Sequence, residues 1–160
     1  MRIVVLSDTH MPRSAEDLPA VVYEEIGKCD MIIHAGDFVE KELYDKLKSL
    51  RQTVAVIGNM DSVKFRGILN SKEVIEIGKL KIGVIHGYGA PSDLLDTVRK
   101  EFSKVDVIVF GHSHKPMVLE KNGVLYINPG SPTDAVYAPY NSYGILEIID
   151  DKITGTIERI

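Results

Sequence analysis

Residues that can bind metal ions recur in short groups between Asp8 and His114. Asp8-x-His10 and His112-x-His114 each place two candidate ligands at alternate positions, and single candidates lie between them. The candidates are Asp8, His10, Asp37, Asn59, His86, His112 and His114. Imidazole nitrogens combined with hard oxygen atoms suit manganese, nickel, cobalt, iron and zinc. The sequence therefore indicates a transition-metal centre.

The candidate ligands are too many for one ion. Two ions about 3.5–4 Å apart, bridged by one carboxylate, would use them all, as in hydrolases where a clamped water attacks phosphorus in line. Asp37 is the expected bridge, and Asp37, Asn59 and His86 are the residues expected to act in catalysis. The expected cofactors are two divalent transition-metal ions, with manganese preferred over nickel, cobalt, iron or zinc.

The alternate spacing of the ligand pairs has a structural meaning. Alternate residues of an extended chain point to the same side, so each pair is expected to supply two ligands to one site. Glycines flank the ligands at positions 36, 58, 87 and 111, where they permit tight turns and close approach of the backbone.

Each ligand group directly follows a short apolar run rich in β-branched residues. These runs predict buried strands at residues 2–6, 31–34, 53–57, 80–85 and 105–110. Helical periodicity over residues 18–28, 39–50 and 92–102 predicts three helices, the last beginning near Ser92. Strands connected by helices pair in parallel, and α/β folds place ligand sites at the carboxyl ends of such strands. The ligands should therefore meet at one edge.

Hairpin signals add antiparallel strands to this pattern. Asn122-Gly123, Gly78-Lys79 and Asp150-Asp151 each separate two strand-like runs. So many strands with three helices favour two packed mixed sheets with helices outside, in a single domain covering residues 1–160. The longest irregular stretch is 129–142, which is interpreted equally well as a functional loop or as a plain surface loop.

Composition excludes several classes of protein. The chain of 160 residues is 44 % hydrophobic and 26 % charged, as in ordinary globular proteins. Its net charge of -4 disfavours nucleic acid and anionic membrane as partners, and no apolar run approaches the ~20 residues that cross a bilayer. A single cysteine, Cys29, fits the reducing cytoplasm. No signal peptide is expected, and a homo-oligomer is left open.

The motifs DTH, GD, GNMD, HG and GHSH, followed by the NPGS of residues 128–131, together resemble those of the calcineurin-like metallophosphoesterase superfamily. The sequence is most similar to the small bacterial and archaeal phosphodiesterase branch, which shares its fold with a retromer subunit. The resemblance implies an α/β fold, a four-layer α-β-β-α sandwich. It assigns Asp8, His10, Asp37 and His114 to one ion, and Asp37, Asn59, His86 and His112 to the other. The implied activity is hydrolysis of small phosphodiesters.

One position departs from the superfamily pattern. Met60 follows the asparagine of the GN motif, where many members carry a histidine that serves as acid or phosphate contact. A thioether cannot donate a proton, so the group that protonates the leaving group is not identified. The small phosphodiesterase branch also lacks that histidine. The alternatives are a phosphomonoesterase, a nuclease or cyclic-nucleotide phosphodiesterase, or a non-catalytic interaction scaffold like the retromer subunit, although that subunit departs from the ligand set.

Other polar residues are assigned structural roles. His34 ends a strand and is expected to support the ligands or pack in the core. Asp61 is expected to orient Asn59 or to cap the next turn. Cys29 is expected to be buried, and Arg13 and Arg66 are expected to be surface charges outside the site.

Overall fold

The computed structural model describes residues 1–160 and contains ten strands and three α-helices. The elements are β1 Arg2–Leu6, α1 Ala20–Lys28, β2 Met31–His34, α2 Lys41–Leu50, β3 Gln52–Ala55, β4 Lys72–Ile77, β5 Leu80–Ile85, α3 Leu94–Lys100, β6 Val107–Val109, β7 Met117–Lys121, β8 Val124–Asn128, β9 Ser142–Ile149 and β10 Lys152–Arg159. A short 3₁₀ helix at Val63–Phe65 precedes β4. None of the three α-helices has the length and hydrophobicity needed to span a lipid bilayer.

The strands form two five-stranded mixed sheets. The first has the order β10-β9-β1-β2-β3, in which β1, β2 and β3 run parallel and β9 is antiparallel to both of its neighbours, β1 and β10. The second has the order β4-β5-β6-β8-β7, in which β5, β6 and β8 run parallel while β4 and β7 are antiparallel edge strands. Each sheet therefore contains three adjacent parallel strands whose carboxyl ends are neighbours.

Alternation of side chains along β1 creates the layers. Ile3 and Val5 are buried in a cluster shared with Val84 and Val109 of the second sheet. Val4 and Leu6 face the other way and pack in a cluster with side chains of α1 and α2, including Val22 and Leu47. A third cluster joins α3 to the outer face of the second sheet. The expected four-layer α-β-β-α sandwich is confirmed, because each sheet face has an apolar partner.

The predicted element boundaries need small corrections. The third strand ends at Ala55 and not at residue 57, and the sixth covers only Val107–Val109. The apolar residues that follow these strands already belong to the turns that lead to the candidate ligands. An apolar pattern therefore overestimates the length of the hydrogen-bonded strand. Helix α3 begins at Leu94 with Asp93 at its N-cap, and the Ser92 hydroxyl donates to Asp93 without capping the helix.

The three predicted hairpins are confirmed as the antiparallel pairs β4–β5, β7–β8 and β9–β10. Asn122 and Gly123 both have positive φ, at 53° and 74°, as do Asp150 and Asp151 at 49° and 59°. Two consecutive left-handed residues characterise the tight turn whose twist matches a β-hairpin.

Candidate metal centre

The candidate ligands lie just beyond the carboxyl ends of parallel strands in both sheets. Strand β1 leads to Asp8 and His10, β2 to Asp37 and β3 to Asn59 in the first sheet, while β5 leads to His86 and β6 to His112 and His114 in the second. Residues separated by 104 positions, His10 and His114, thus come within hydrogen-bonding distance. The structure brings together all seven residues that the sequence indicated.

One group of ligand atoms is formed by Asp8, His10 and His114. The Asp8 Oδ1 atom lies 3.3 Å from His114 Nε2 and 3.9 Å from His10 Nε2. The two Nε2 atoms of His10 and His114 are 3.2 Å apart and face each other. Three potential ligand atoms therefore surround one small volume.

A second group is formed by Asp8, Asp37 and His86. His86 Nε2 lies 3.3 Å from Asp37 Oδ2 and 3.1 Å from Asn59 Oδ1. The same Asn59 oxygen lies 3.2 Å from His112 Nδ1, which attaches His112 to this group through the amide. Asp37 Oδ2 is also 3.6 Å from His10 Nε2 of the first group, so Asp37 adjoins both groups.

These residues fit divalent metal ions by distance and by charge. Nitrogen and oxygen ligands lie about 2.0–2.2 Å from a transition-metal ion, which places neighbouring ligand atoms roughly 3.0–3.5 Å apart. The separations above fall in or slightly beyond that range. Asp8 and Asp37 are 0 % and 2 % exposed, and histidines are their only ion-pair partners. Two buried carboxylates without Lys or Arg need other cations to offset their desolvation.

The ligand-bearing backbone differs from the extended chain that alternate spacing suggested. Asp8 and His10 have φ of 54° and 45°, and His112 and His114 have φ of 68° and 55°. Asp37 is also left-handed, at 62°. Both members of each pair still enter one site, but they do so through left-handed residues separated by a single residue. Aspartate and histidine are among the non-glycine residues that tolerate this region best.

Two of the flanking glycines allow close approach of neighbouring loops. A Cβ atom at Gly111 would lie 2.6 Å from Asp8 Oδ2 and would overlap the Ser7 hydroxyl. A Cβ atom at Gly58 would overlap Asp37 at its backbone nitrogen and its carboxylate. A side chain at either position would displace a candidate ligand.

Asp61 links two ligand loops, a role that the sequence did not indicate. Its carboxylate accepts hydrogen bonds from the backbone N–H groups of Asp37, Val39 and Gly58 at 2.7–3.1 Å. Burial raises the pKa of Asp61 despite these three donors. The expected capping role is wrong, because Ser62 caps the following turn by accepting from Lys64 N–H. No contact with the Asn59 side chain supports the other expectation.

Asp134 is a site residue that the sequence analysis missed. Its carboxylate accepts a hydrogen bond from His114 Nδ1, which leaves Nε2 of that ring to face the ligand group. It also accepts from the N–H groups of Val136, Tyr137 and Ala138. A carboxylate that orients a ligating imidazole in this way is typical of metal sites. Asp134 lies in the irregular stretch 129–142, so that stretch is the only signal that pointed toward it.

Side chains of the NPGS motif and of Thr133 form hydrogen bonds with the backbone of the ligand loops. Asn128 Nδ2 donates to the Gly111 carbonyl at 2.8 Å, and Ser131 Oγ donates to the Asp8 carbonyl at 2.7 Å. Thr133 Oγ1 donates to the Thr9 carbonyl at 2.7 Å. These buried hydrogen bonds tie the end of β8 and the loop that follows it to the ligand segments of both sheets.

His34 and Cys29 have the structural roles that were expected. His34 Nδ1 accepts from Gly36 N–H at 3.1 Å, so Nε2 carries the proton and donates to Thr9 Oγ1 at 3.2 Å. Its ring stacks on Phe38, and complete burial holds the pKa of His34 well below its usual value. Cys29 is buried, and burial raises the pKa of its thiol.

Two of the candidate ligands favour protonation when no cation balances the carboxylates. Burial opposes the charge of His86, but Asp37 and Asp8 outweigh it and raise the pKa of His86 to about 8. Burial likewise opposes the charge of His114, yet Asp8 and Asp134 raise its pKa to about 9. A metal ion must displace these protons in order to bind.

A cavity of about 590 Å³ opens over the ligand atoms of His10, Asp37, Asn59, His112 and His114. Arg13 is the only Lys or Arg that lines it and is a surface charge as expected, whereas Arg66 does not line it. Arg13 is exposed and makes no ion pair within 4.0 Å. Its position follows from the turn after His10, in which Ser14 N–H donates to the His10 carbonyl.

A family model, a related sequence and solved structures all match this chain over most of its length. Residues 1–151 match the model of the calcineurin-like phosphoesterase superfamily domain. A probable metallophosphoesterase of Methanocaldococcus jannaschii is 45 % identical over 83 % of this chain and 69 % of its own length. Vps29 of Entamoeba histolytica, solved in complex with zinc, is 30 % identical, with a TM-score of 0.77 over 100 % of this chain and 98 % of that chain.

A structure described as a novel archaeal phosphodiesterase is also similar to this chain. It is 25 % identical, with a TM-score of 0.75, and the match covers 99 % of this chain and 100 % of that chain. The similarity of fold therefore extends over almost the whole chain.

Proposed function

The chain belongs to the calcineurin-like phosphoesterase superfamily, and from that membership we propose that it is a phosphodiesterase that uses two divalent cations, preferably manganese, to hydrolyse small phosphodiesters. The observation that carries the proposal is the position of Asp37. Its Oδ2 atom lies 3.3 Å from His86 Nε2 within the second group of ligand atoms and 3.6 Å from His10 Nε2 of the first group. A carboxylate in that position is suited to bridge two ions.

The assignment of ligands to two ions is the one that the superfamily resemblance implies, and the distances are compatible with it. His10 and His114, with Asp8 and Asp37, would hold one ion, while His86, Asn59 and His112, with Asp37, would hold the other. Asp8 Oδ1 lies 3.9 Å from His86 Nε2, and Asp8 is a member of both groups of ligand atoms. The E. histolytica Vps29 structure with zinc supports metal binding in this fold.

The bound cations would activate water and neutralise charge on the phosphoryl oxygens. The protein positions the reacting groups around them. Asn59 and His112 line the cavity, where they can orient the phosphate, and Arg13 supplies a guanidinium that can pair with a phosphoryl oxygen. Met60 lines the same cavity but has no proton to donate. The leaving group is therefore expected to leave without help from that side chain.

Two observations favour a diester over a monoester. A phosphodiester carries one negative charge, and Arg13 is the one Lys or Arg that lines the cavity. A monoester carries close to two charges at neutral pH. The similar archaeal protein is itself described as a phosphodiesterase.

Hydrolysis of bis-p-nitrophenyl phosphate by the manganese-loaded protein tests the proposal directly. Asp37→Asn should lower kcat/KM by more than about 100-fold, because loss of even an outer partner of a metal site costs roughly 10–100-fold. Asp96→Asn, on the exposed face of α3, is the matched control and should retain activity. Absence of hydrolysis with manganese, nickel, cobalt and zinc would contradict the proposal. A preference for p-nitrophenyl phosphate would identify a phosphomonoesterase.

A non-catalytic scaffold is the second candidate, and the similarity to Vps29 over the whole chain favours it. Bound metal alone does not separate the two functions, since the E. histolytica Vps29 was solved with zinc. Catalysis does separate them, because a scaffold with bound zinc or manganese would leave both p-nitrophenyl substrates intact.

The substrate is proposed to be a small phosphate ester and not a polynucleotide. A polynucleotide needs a basic track for successive phosphates, whereas this cavity has a single arginine on a chain of net charge -4. We also propose a cytoplasmic location, because a chain with a single cysteine cannot form an internal disulfide and does not need an oxidising compartment. Sedimentation analysis would determine the oligomeric state.

A further inference from the structure

The cavity over the metal centre has an apolar and aromatic wall that the proposed chemistry does not use. Met60, Val136 and Tyr137 line it together with the ligands. Val136 and Tyr137 are 78 % and 76 % exposed, which makes them the two most exposed large hydrophobic side chains of the protein. Exposed apolar groups that adjoin a polar cavity are typical of ligand contacts.

The segment that carries Tyr137 is fixed relative to the metal centre. The Asp134 carboxylate accepts hydrogen bonds from the N–H groups of Val136 and Tyr137 and from His114 Nδ1. The Tyr137 ring centre lies 6.0 Å from the His114 ring centre, and the two planes are nearly perpendicular at 84°. The ring is thus exposed to solvent on one side and held beside a candidate metal ligand on the other.

The cavity is larger than hydrolysis of a phosphate group requires. Its volume of about 590 Å³ falls in the ~300–1,000 Å³ range that encloses organic ligands of drug size. One phosphate between the ions and Arg13 would leave most of that space to the organic part of the substrate. Tyr137 is the aromatic residue that lines this remaining space.

We propose that Tyr137, with Val136 beside it, binds a planar aromatic group of the substrate, so that the enzyme acts on phosphate esters of nucleosides or of aryl alcohols. The proposal rests on the proposed phosphodiesterase function and adds the class of substrate. A phosphate held at the metal centre would place its ester group within reach of the Tyr137 ring, because that ring already contacts His114. Stacking of a base on an aromatic side chain strengthens binding by about 5- to 160-fold, so an effect of about tenfold lies near the lower end of that range.

Two probes that share the same phosphate and sugar test the proposal by binding. Calorimetric titration of the manganese-loaded protein should show adenosine 5′-monophosphate binding about tenfold more tightly than ribose 5-phosphate. Tyr137→Ala should weaken the first probe by about tenfold and change the second by less than twofold, while Tyr137→Phe retains the preference. Chromatography of the probes after titration establishes that they remain intact.

A matched control separates stacking from a change in the loop. Tyr140 lies in the same loop but outside the cavity, with its ring against Arg159. Tyr140→Ala should leave the affinity for both probes unchanged. Equal binding of the two probes to the wild-type protein, or equal weakening of both by Tyr137→Ala, would overturn the inference.

Kinetics distinguish this inference from the proposed function. Where bis-p-nitrophenyl phosphate is hydrolysed, Tyr137→Ala should raise KM by about tenfold and leave kcat within twofold, because the ring binds substrate without touching the reacting atoms. A fall in kcat at unchanged KM would contradict the inference and leave the hydrolase standing. Binding of the adenosine probe without any hydrolysis would contradict the proposed function and leave the aromatic site standing.

Discussion

His114 lies between two carboxylates and uses its two nitrogens differently. Its Nε2 atom is 3.3 Å from Asp8, among the other ligand atoms, while Nδ1 donates to Asp134. The second contact fixes the tautomer and the ring plane, so the lone pair of Nε2 points toward the expected ion. His114 could be identified from its motif. Asp134 could not, because only the folded loop brings it next to His114.

Replacement of Asp134 by asparagine tests this orienting role. Asparagine keeps an oxygen acceptor for the Val136–Ala138 turn but removes the charge that holds the His114 ring. We expect Asp134→Asn to weaken manganese binding by roughly 10–100-fold, as measured by calorimetry. Asp96→Asn is again the control. Wild-type affinity in Asp134→Asn would show that the hydrogen bond to His114 does not affect the metal.

The raised pKa values of His86 and His114 predict how the metal-free protein responds to pH. Both values, about 8 and about 9, exceed the ordinary value of 6.5, so the folded state binds these protons more tightly than the unfolded state. The resulting stability is complete below pH 6.5 and is lost as the pH rises through 8 and 9.

Thermal unfolding in the presence of a chelator measures this effect. His114→Gln removes one of the two groups, so the difference in Tm between wild type and variant should shrink as the pH rises from about 6.5 to 9.5. A difference that stays constant over that interval would show that His114 does not take up a proton in the folded protein.

At the scale of elements, the decisive features are the turns that follow the parallel strands. The strands themselves were predictable, since runs such as residues 2–6 and 31–34 are short, apolar and β-branched, and they became β1 and β2 with unchanged ends. The left-handed backbone of Asp8 and His112 was not predictable. It arises because the loops of two sheets converge on one point, and local propensity does not encode that convergence.

Gly111 shows how tightly those turns pack. Gly111→Ala would place a methyl group against Ser7 Oγ and 2.6 Å from Asp8 Oδ2, both in the loop that follows β1. We expect a loss of about 1–3 kcal/mol in the free energy of unfolding, as for other overpacked sites, together with weaker metal binding. Urea denaturation and metal analysis measure the two effects.

Gly27→Ala is the control for that experiment. Gly27 lies in α1, and a Cβ atom there would meet nothing within 4 Å. Alanine should therefore be neutral or stabilise the helix by about 0.5–1 kcal/mol. A similar loss of stability in both variants would show that the Ser7 and Asp8 contacts are not the cause.

At the scale of the whole molecule, the metal centre joins the two sheets at one end of the sandwich. Asp8, His10 and Asp37 follow strands of the first sheet, whereas His86 and His114 follow strands of the second. Between the sheets the contact is apolar, and it is formed by the cluster that includes Val5 and Val109. Bound cations would therefore add a polar link to an apolar interface.

Metal binding should stabilise the fold measurably. An ion present at 100 times its Kd adds about 2.7 kcal/mol per site, which corresponds to a rise in Tm of at least about 5 °C for a protein of this size. Scanning calorimetry with manganese and with a chelator gives the shift. Asp37→Asn should abolish most of the rise, and a full rise in that variant would place the ion elsewhere.

Asp134 belongs both to the metal centre and to the loop that lines the cavity, and this sharing has a consequence for redesign. The carboxylate accepts a hydrogen bond from His114 and others from the backbone of residues 136–138, so it fixes the loop relative to the metal centre. The side chains of Val136 and Tyr137 take no part in these hydrogen bonds, which use only the backbone N–H groups. Laboratory evolution could thus vary these two positions to change which esters are accepted, while the catalytic machinery behind them stays intact.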